Sequence, residues 1–392
     1  MRLRSRIKEH FSFLLLLFVG TLCNAMMVPF MSFFLVEGLG NGPWIISAYS
    51  ILAVSLTLIS NKQFARRIDK GFPAFPLVGI AAAGYLFAVT GLLFSPSLWT
   101  ALTIGVLGFG LSSSALSTMF SLGRSLAERH QIERSRFNAY MRATTSTAWM
   151  VGPAVTFLVA DLISVRAVFS VALCVGLVWL ALWWCSLPRK ITAQARPDIG
   201  DQGNKSDTLR QLWVAAAFVF CLSLAHSLTF SSLPIFYVRE IGLPGYAPGV
   251  AFSIKTFVEV GAIFSTPMMI SRFGIHRSLV ATSLLAVAAI QMLSMIETFP
   301  QMLIGAGLEG LYYGFYASLG ISYIQAFAED RPASATALYW NILMVTGLIA
   351  GPVVGLIATA YDFKTVVRVA SGVAAAAALI LIASRTRLRV NA

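Results

Sequence analysis

The chain has 392 residues, 57% of them hydrophobic and only 11% charged, with a net charge of +13. Soluble globular domains carry about 25% charged residues, so water is excluded as the solvent for most of this surface. Apolar runs of about 20 residues are long enough to cross the hydrocarbon core as helices, and in lipid the backbone must satisfy its own hydrogen bonds. The runs are continuous and lack a ten-residue alternation, which excludes a β-barrel. The expected fold is therefore an all-α integral membrane protein.

Twelve transmembrane helices are expected. Helix 1 covers 11–36. Arg2, Arg4, Arg6 and Lys8 precede Phe11–Val19 much as in a signal peptide. The apolar stretch continues to Val36, so it reads as an uncleaved helix, and it contains Asn24 and Pro29. Helix 2 (44–61) leads into a basic loop with Asp69 and Gly71. Helices 3 (73–94) and 4 (98–121) follow, then a second basic segment at 124–136. Helix 5 (138–160) contains Arg142, Trp149 and the pair Gly152-Pro153; helix 6 is 166–187.

The polar stretch 188–210, with Asp198, Gly200, Asp201, Gly203 and Asp207, reads as a cytoplasmic linker. It separates a six-helix bundle at 1–187 from another at 211–392. Helix 7 (212–237) holds His226 and Pro234, and helix 8 (247–270) holds Lys255 and Glu259. Arg272, Gly274 and Arg277 precede helix 9 (278–297). Helix 10 (302–326) carries Glu309, Tyr312, Tyr313 and Tyr316. Helix 11 (334–360) carries Tyr339, Asn341, Gly351 and Pro352, and helix 12 is 365–384.

The basic residues orient the chain. With the N-terminus inside, the inside segments hold 23 of the Lys and Arg residues, and the outside loops hold four: Arg166, Arg239, Lys364 and Arg368. That asymmetry is the positive-inside pattern, with both termini cytoplasmic. It accounts for the positive charge without nucleic acid. Cys23, Cys174, Cys185 and Cys221 all fall in apolar runs without metal spacing and read as small core residues.

The two bundles repeat one another. Tyr140, Arg142 and Gly152-Pro153 recur as Tyr339, Asn341 and Gly351-Pro352 at a constant offset of 199. Pro29 in helix 1 is matched by Pro234 in helix 7 at an offset of 205. Parallel six-helix repeats are the layout of a rocking transporter whose substrate sits near the midplane.

Several stretches carry a more specific signal. They are Pro29 with Ser32-Phe33-Phe34-Leu35, Met119-Phe120-Ser121-Leu122, Arg142-Ala143 with Ala148-Trp149 and Gly152-Pro153, Glu259, and the run from Ser334 to Tyr339 with Asn341. With these the chain resembles the major facilitator superfamily and, within it, the bacterial sugar efflux transporters. The resemblance implies export of small sugars or glycosides across the inner membrane, by alternating access and with proton antiport. It has departures. Arg66 stands where the loop after helix 2 normally has its first glycine, and Phe72-Pro73-Ala74-Phe75-Pro76 replaces the basic residues after Asp69-Lys70-Gly71. The corresponding second loop keeps Arg272, Gly274 and Arg277. Helix 4 lacks the arginine that marks proton-coupled drug antiporters, which favours sugars over drugs.

Ionisable side chains inside the membrane normally face a partner or a wet cavity. Lys255 and Glu259, four apart, share one face of helix 8. They form either a static, self-neutralising pair or a site where Glu259 takes up a proton as its partner moves. Helices 5 and 8 are neighbours in the resembled fold, so Arg142 is a second candidate partner of Glu259. Glu309 reads as a water-lined rim residue or a second proton site. Sugar hydroxyls need neutral hydrogen-bonding groups and their C–H faces need flat apolar surfaces. Asn24, His226, Tyr339 and Asn341 could supply the first; Trp149, Tyr312 and Tyr316 could supply the second. Asp69, Gly71, Arg272 and Gly274 would form the loop motifs that move with conformation. Gly152-Pro153 and Gly351-Pro352 combine close helix approach with a bend.

The sequence has no Gly-x-x-x-x-Gly-Lys-Ser/Thr phosphate loop, no cysteine–histidine metal cluster and no nucleophile–base pair. The expectation is a transporter rather than an enzyme. It needs no cofactor or metal, acts as a monomer in lipid, and has protons and a small sugar as partners. A drug or amphiphile exporter of the same fold is the alternative, and a membrane sensor without transport is a third reading.

Overall fold

The computed structural model describes residues 2–129, 134–189, 192, 206–326 and 332–384, and nearly all of them are helical. We number the helices α1 to α12. In the first half they are α1 (Arg2–Phe33), α2 (Trp44–Asp69), α3 (Ala74–Phe94), a segmented α4 (Leu98–Thr100 through Ser114–Arg129), α5 (Arg134–Leu162) and α6 (Val165–Ser186). In the second they are α7 (Ser206–Ile235), α8 (Ala247–Phe273), α9 (Ile275–Leu293), α10 (Phe299–Ala326), α11 (Pro332–Ala360) and α12 (Phe363–Ala383). The described residues include no strand.

Eleven of these helices are long and apolar enough to cross a membrane, and the chain is a multi-pass membrane protein. The helix outside that group is α10, whose 28 residues include Glu309, four tyrosines and five glycines. These lower its hydropathy without shortening it, and it is among the most enclosed helices of its half.

The chain forms two compact units, Met1–Asn41 with Ala48–Ile199, and Gly42–Ser47 with Gly200–Ala392. Most of the expected linker, 188–210, lies outside the described residues. Four helix contacts recur in both units. In the first, α1 lies against α5 and α6, and α3 against α4 and α6; in the second, α7 lies against α11 and α12, and α9 against α10 and α12. Aromatic side chains fill the first contact. Phe30 meets the edge of Phe157 on α5 at 5.9 Å between ring centres, and Phe34 that of Phe169 on α6 at 5.0 Å.

Wide turns follow two of the helical prolines, and a third, at Ala101–Gly105 in α4, has no helical proline before it. Beyond Pro29, α1 widens into a π-helical turn at Phe34–Gly38; beyond Pro234, α7 does the same at Phe236–Glu240. The wide turns close through Leu39 N–H to Phe34 O at 2.9 Å and Ile241 N–H to Phe236 O at 3.1 Å. Neither turn is apparent in the hydrophobic pattern. At the end of the second turn, Glu240 accepts hydrogen bonds from the N–H groups of Phe363 (2.6 Å) and Lys364 (3.0 Å). A carboxylate there suits the positive end of the α12 dipole. Asp362 caps the same helix through Thr365 N–H at 2.6 Å.

Several expected boundaries differ: α1 begins at Arg2, α4 runs to Arg129, α5 begins at Arg134 and α7 at Ser206, and two further shifts have a visible cause. Helix α2 continues past 61 to Asp69, because Phe64 and Ile68, one turn apart, remain buried while Lys62, Arg66 and Arg67 face outward. Helix α9 starts at Ile275 and ends at Leu293, not 278–297. Gly274 alone joins α8 to α9, with φ +76°. Gly71, in the corresponding loop of the first unit, has φ +77°. Glycine adopts this left-handed region without steric cost.

Candidate functional site

In the second unit, α10 approaches α8 at backbone distance. A methyl group at Gly310 would run into the Lys255 carbonyl, and one at Gly314 would meet the Glu259 backbone. Small residues four apart let two membrane helices come this close. The approach brings Glu309, next to Gly310, up to Lys255. Their Nζ–Oε1 distance is 2.9 Å, and each residue is only 4% exposed.

Burying two charges costs several kcal/mol per ion unless geometry and hydrogen bonds compensate. Here the ammonium also lies 3.2 Å from His226 Nε2 on α7. Lysine has no acceptor lone pair, so Lys255 donates and Nε2 accepts. That places the imidazole hydrogen on Nδ1, which lies 3.2 Å from the Tyr312 hydroxyl and 3.7 Å from Glu309 Oε1. The imidazole stacks on Tyr313, with ring centres 3.7 Å apart and planes at 18°. The ammonium also sits over the rings of Phe230 and Tyr313, 5.2 Å from each centroid, where the ring faces attract cations. The result is one charged pair, one neutral imidazole and an aromatic cage built from α7, α8 and α10.

This arrangement changes two expectations. Lys255 pairs across to Glu309, and no ion pair joins it to Glu259 among the described residues. Glu259 lies one turn further along α8, half-buried. Glu309 is not a rim residue; it is enclosed and charge-paired.

The remaining candidates are scattered. Tyr316 donates to Val219 O on α7 at 3.0 Å and hydrogen-bonds to Ser223, and Tyr339 donates to Ala317 O on α10 at 3.3 Å. Those two hydroxyls hold helices together. Asn341, two positions on, is exposed. In the first unit, Asn24 donates to Gly20 O at 3.0 Å and accepts from Ser112 of α4 at 3.3 Å. Trp149 is half-buried and Arg142 exposed on α5. Gly152 lies against the backbone of Ala25 and Met26 on α1, next to a buried Pro153. Gly351 is buried and Pro352 half-buried within an unbroken α11. Arg272 is exposed in the last turn of α8, and the side chain of Asp69, at the end of α2, lies outside the described set.

Sequence reasoning passed over Ser223, Ser112 and Tyr237. Ser223 lies three residues before His226, and that helical spacing was the available signal. No group of three or more potential metal ligands clusters among the described residues.

Comparison with known proteins adds three findings. The family model described as Major Facilitator Superfamily matches residues 119–296. The chain is 25% identical over 361 residues to "Sugar efflux transporter B" of Salmonella typhimurium, covering 91% of this chain and 90% of that one. It is 24% identical over 378 residues to "Sugar efflux transporter C" of Escherichia coli, covering 95% and 94%. Among solved structures, a point mutant of the nucleoside transporter NupG superposes with a TM-score of 0.82 at 13% identity, covering 96% of this chain and 100% of that one. At that identity the likeness speaks for the fold alone.

Proposed function

We propose that the chain, similar to the Major Facilitator Superfamily model over residues 119–296 and to sugar efflux transporters along most of its length, is a member of that superfamily and a secondary active transporter exporting small sugars or glycosides from the bacterial cytoplasm, by alternating access and in exchange for protons. The relatives named for sugar efflux match nearly the full length, which supports a sugar cargo. The excess of basic residues on one side supports an inner-membrane orientation with both termini in the cytoplasm.

The observation that carries the coupling is the buried Lys255–Glu309 pair. Lys255 has two carboxylates to choose from: Glu309 across on α10, and Glu259 one turn along α8. With Glu309 ionised the ammonium stays paired with it across to α10. A proton added to a Glu309 oxygen removes that charge, and the ammonium turns to Glu259. Losing the proton reverses the exchange. The pairing thereby tracks protonation, and it passes through the contact between α8 and α10. The imidazole of His226 and the Tyr312 hydroxyl, already hydrogen-bonded to one another, are the neutral groups beside this pair for sugar hydroxyls. Asn24 and Trp149 offer an amide and an indole in the first unit.

Counterflow of radiolabelled sugars in proteoliposomes, with and without a pH gradient, tests this. Saturable exchange is expected in both conditions, and net movement against a sugar gradient only with the pH gradient. Glu309→Gln is expected to keep exchange and lose the gradient response. Saturable exchange of amphiphilic cations instead of sugars would replace the cargo. Full gradient-driven transport by Glu309→Gln would remove the coupling role.

A further inference from the structure

A narrow crevice runs beside the ion pair. It is lined by Pro234 and Tyr237 of the α7 end, Pro248 and Ala251 of the first turns of α8, and Lys255 with Glu309. It therefore lies toward the ends of α7 and α8 that the positive-inside pattern places outside. Its walls are almost wholly apolar; Tyr237, Lys255 and Glu309 are the lining residues whose side chains carry a polar group.

The Tyr237 hydroxyl is the unusual one. Tyr237 is 1% exposed, and its hydroxyl oxygen has no hydrogen-bond partner among the described residues. Buried polar groups are normally satisfied by protein or by ordered water. A bridging water needs a polar site with two to four partners and room for about one water sphere. The crevice has room for about one water, and three of the residues around it carry polar groups. The π-helical turn at Phe236–Glu240 sets Tyr237 in this position, and such turns recur at functional sites.

We propose that this crevice is the outer proton entrance to Glu309, with water held between the Tyr237 hydroxyl and the Lys255–Glu309 pair. A proton enters as an excess proton on outside water and passes along the hydrogen bonds of the held water. It ends as the O–H of the Glu309 carboxyl, and only O–H bonds form and break. The titratable groups around that carboxyl are His226 and Tyr237 on α7, Lys255 and Glu259 on α8, and Tyr312 and Tyr313 on α10. Of these, Tyr237 lines the crevice with the pair, while His226 and Tyr312 are hydrogen-bonded to one another. The inference rests on the reading of Glu309 as the proton carrier, and it names the route.

The test is a pH jump on detergent-purified protein, with the protonated-carboxyl infrared band followed in time and assigned by its loss in Glu309→Gln. Tyr237→Phe removes the hydroxyl and keeps the ring; Ala251→Leu fills the crevice and leaves the hydroxyl. In both variants the band is expected to form about tenfold more slowly, equivalent to about 1.4 kcal/mol of barrier, with sugar counterflow retained. Unchanged rates in both variants overturn the route. If Glu309→Gln leaves the band intact, the carrier assignment itself falls. Failure of sugar counterflow in the parent protein would overturn the cargo alone, because the band needs no substrate.

Discussion

The two units share a helix plan and differ in the polar groups they place where the second and fourth helices of each bundle meet. In the first unit the groups are neutral and half-buried or exposed: Thr57 with Ser113 at 3.2 Å and Asn61 with Ser117 at 3.4 Å, both between α2 and α4. There, Gly110 of α4 faces the Leu56 side chain. In the second unit the matching helices, α8 and α10, touch backbone to backbone through Gly310 and Gly314 and enclose Lys255 and Glu309. Neutral hydroxyl pairs can separate and exchange for water with little net change, because each such bond contributes only about 0.5–1.5 kcal/mol. A buried ion pair cannot separate unless a proton or another charge takes the place of the lost partner. One scaffold thus supplies a contact between neutral groups and another whose separation would leave two buried charges unpaired.

The largest test of that difference is to remove one charge. Lys255→Met leaves Glu309 buried without its cation, a change that typically costs about 3–5 kcal/mol. Thermal unfolding in detergent should show the loss. Lys255→Met combined with Glu309→Gln should recover much of it, while gradient-driven transport stays absent. A double variant as unstable as the single one would mean that the pair does not act as a unit.

Next in size is the backbone contact. Gly310→Val forces side-chain atoms into the Lys255 carbonyl and should destabilise by about 1–3 kcal/mol, the usual range for overpacking. Gly307→Ala, on the same helix with open space around it, should be close to neutral. Equal effects at the two positions would dissolve the argument for a close α8–α10 approach.

In the first unit, Ser112→Ala frees one acceptor on Asn24 and should cost about 1 kcal/mol. The pH profile of transport should stay in place, whereas that of Glu309→Gln should flatten. A shift of the pH profile by Ser112→Ala would make the two units alike in coupling.

An effect as small as that of Ser112→Ala is expected at Asp362. The hydrogen bond to the Thr365 hydroxyl, with that to its N–H, holds this carboxyl below the ordinary aspartate value. A folded-state value below the unfolded one adds stability above the unfolded pKa, and this is lost as pH falls below about 4. Asp362→Ala should cost about 1 kcal/mol at neutral pH, with the difference from the parent closing in acid. Unfolding measured across pH would show it.

The spans and the repeat were legible because lipid imposes length and apolarity on each segment separately. The site was legible only in its ingredients. Lys255, Glu309 and His226 stand out as polar residues in apolar helices, but helical periodicity relates residues within a helix, and so it favoured Glu259 as the Lys255 partner. The contact that decides otherwise is set by two glycines on another helix, and a glycine's lack of side chain does not say which neighbour it admits. The π-helical turns escaped for a similar reason. Proline does not mark them, since the turn at Ala101–Gly105 has no helical proline before it and Pro153 and Pro352 lie in helices without one.

Those turns have a consequence for how the helix ends tolerate change in length. The turns at 34–38 and 236–240 close with hydrogen bonds five residues apart, Leu39 to Phe34 and Ile241 to Phe236, where an α-helix closes at four. Each unit thus stores a surplus residue next to its proline. Losing one residue inside either circuit lets the chain relax to an ordinary turn with its downstream anchor, Leu39 or Ile241, kept near its place. The same loss one turn earlier would rotate everything beyond it by about 100°.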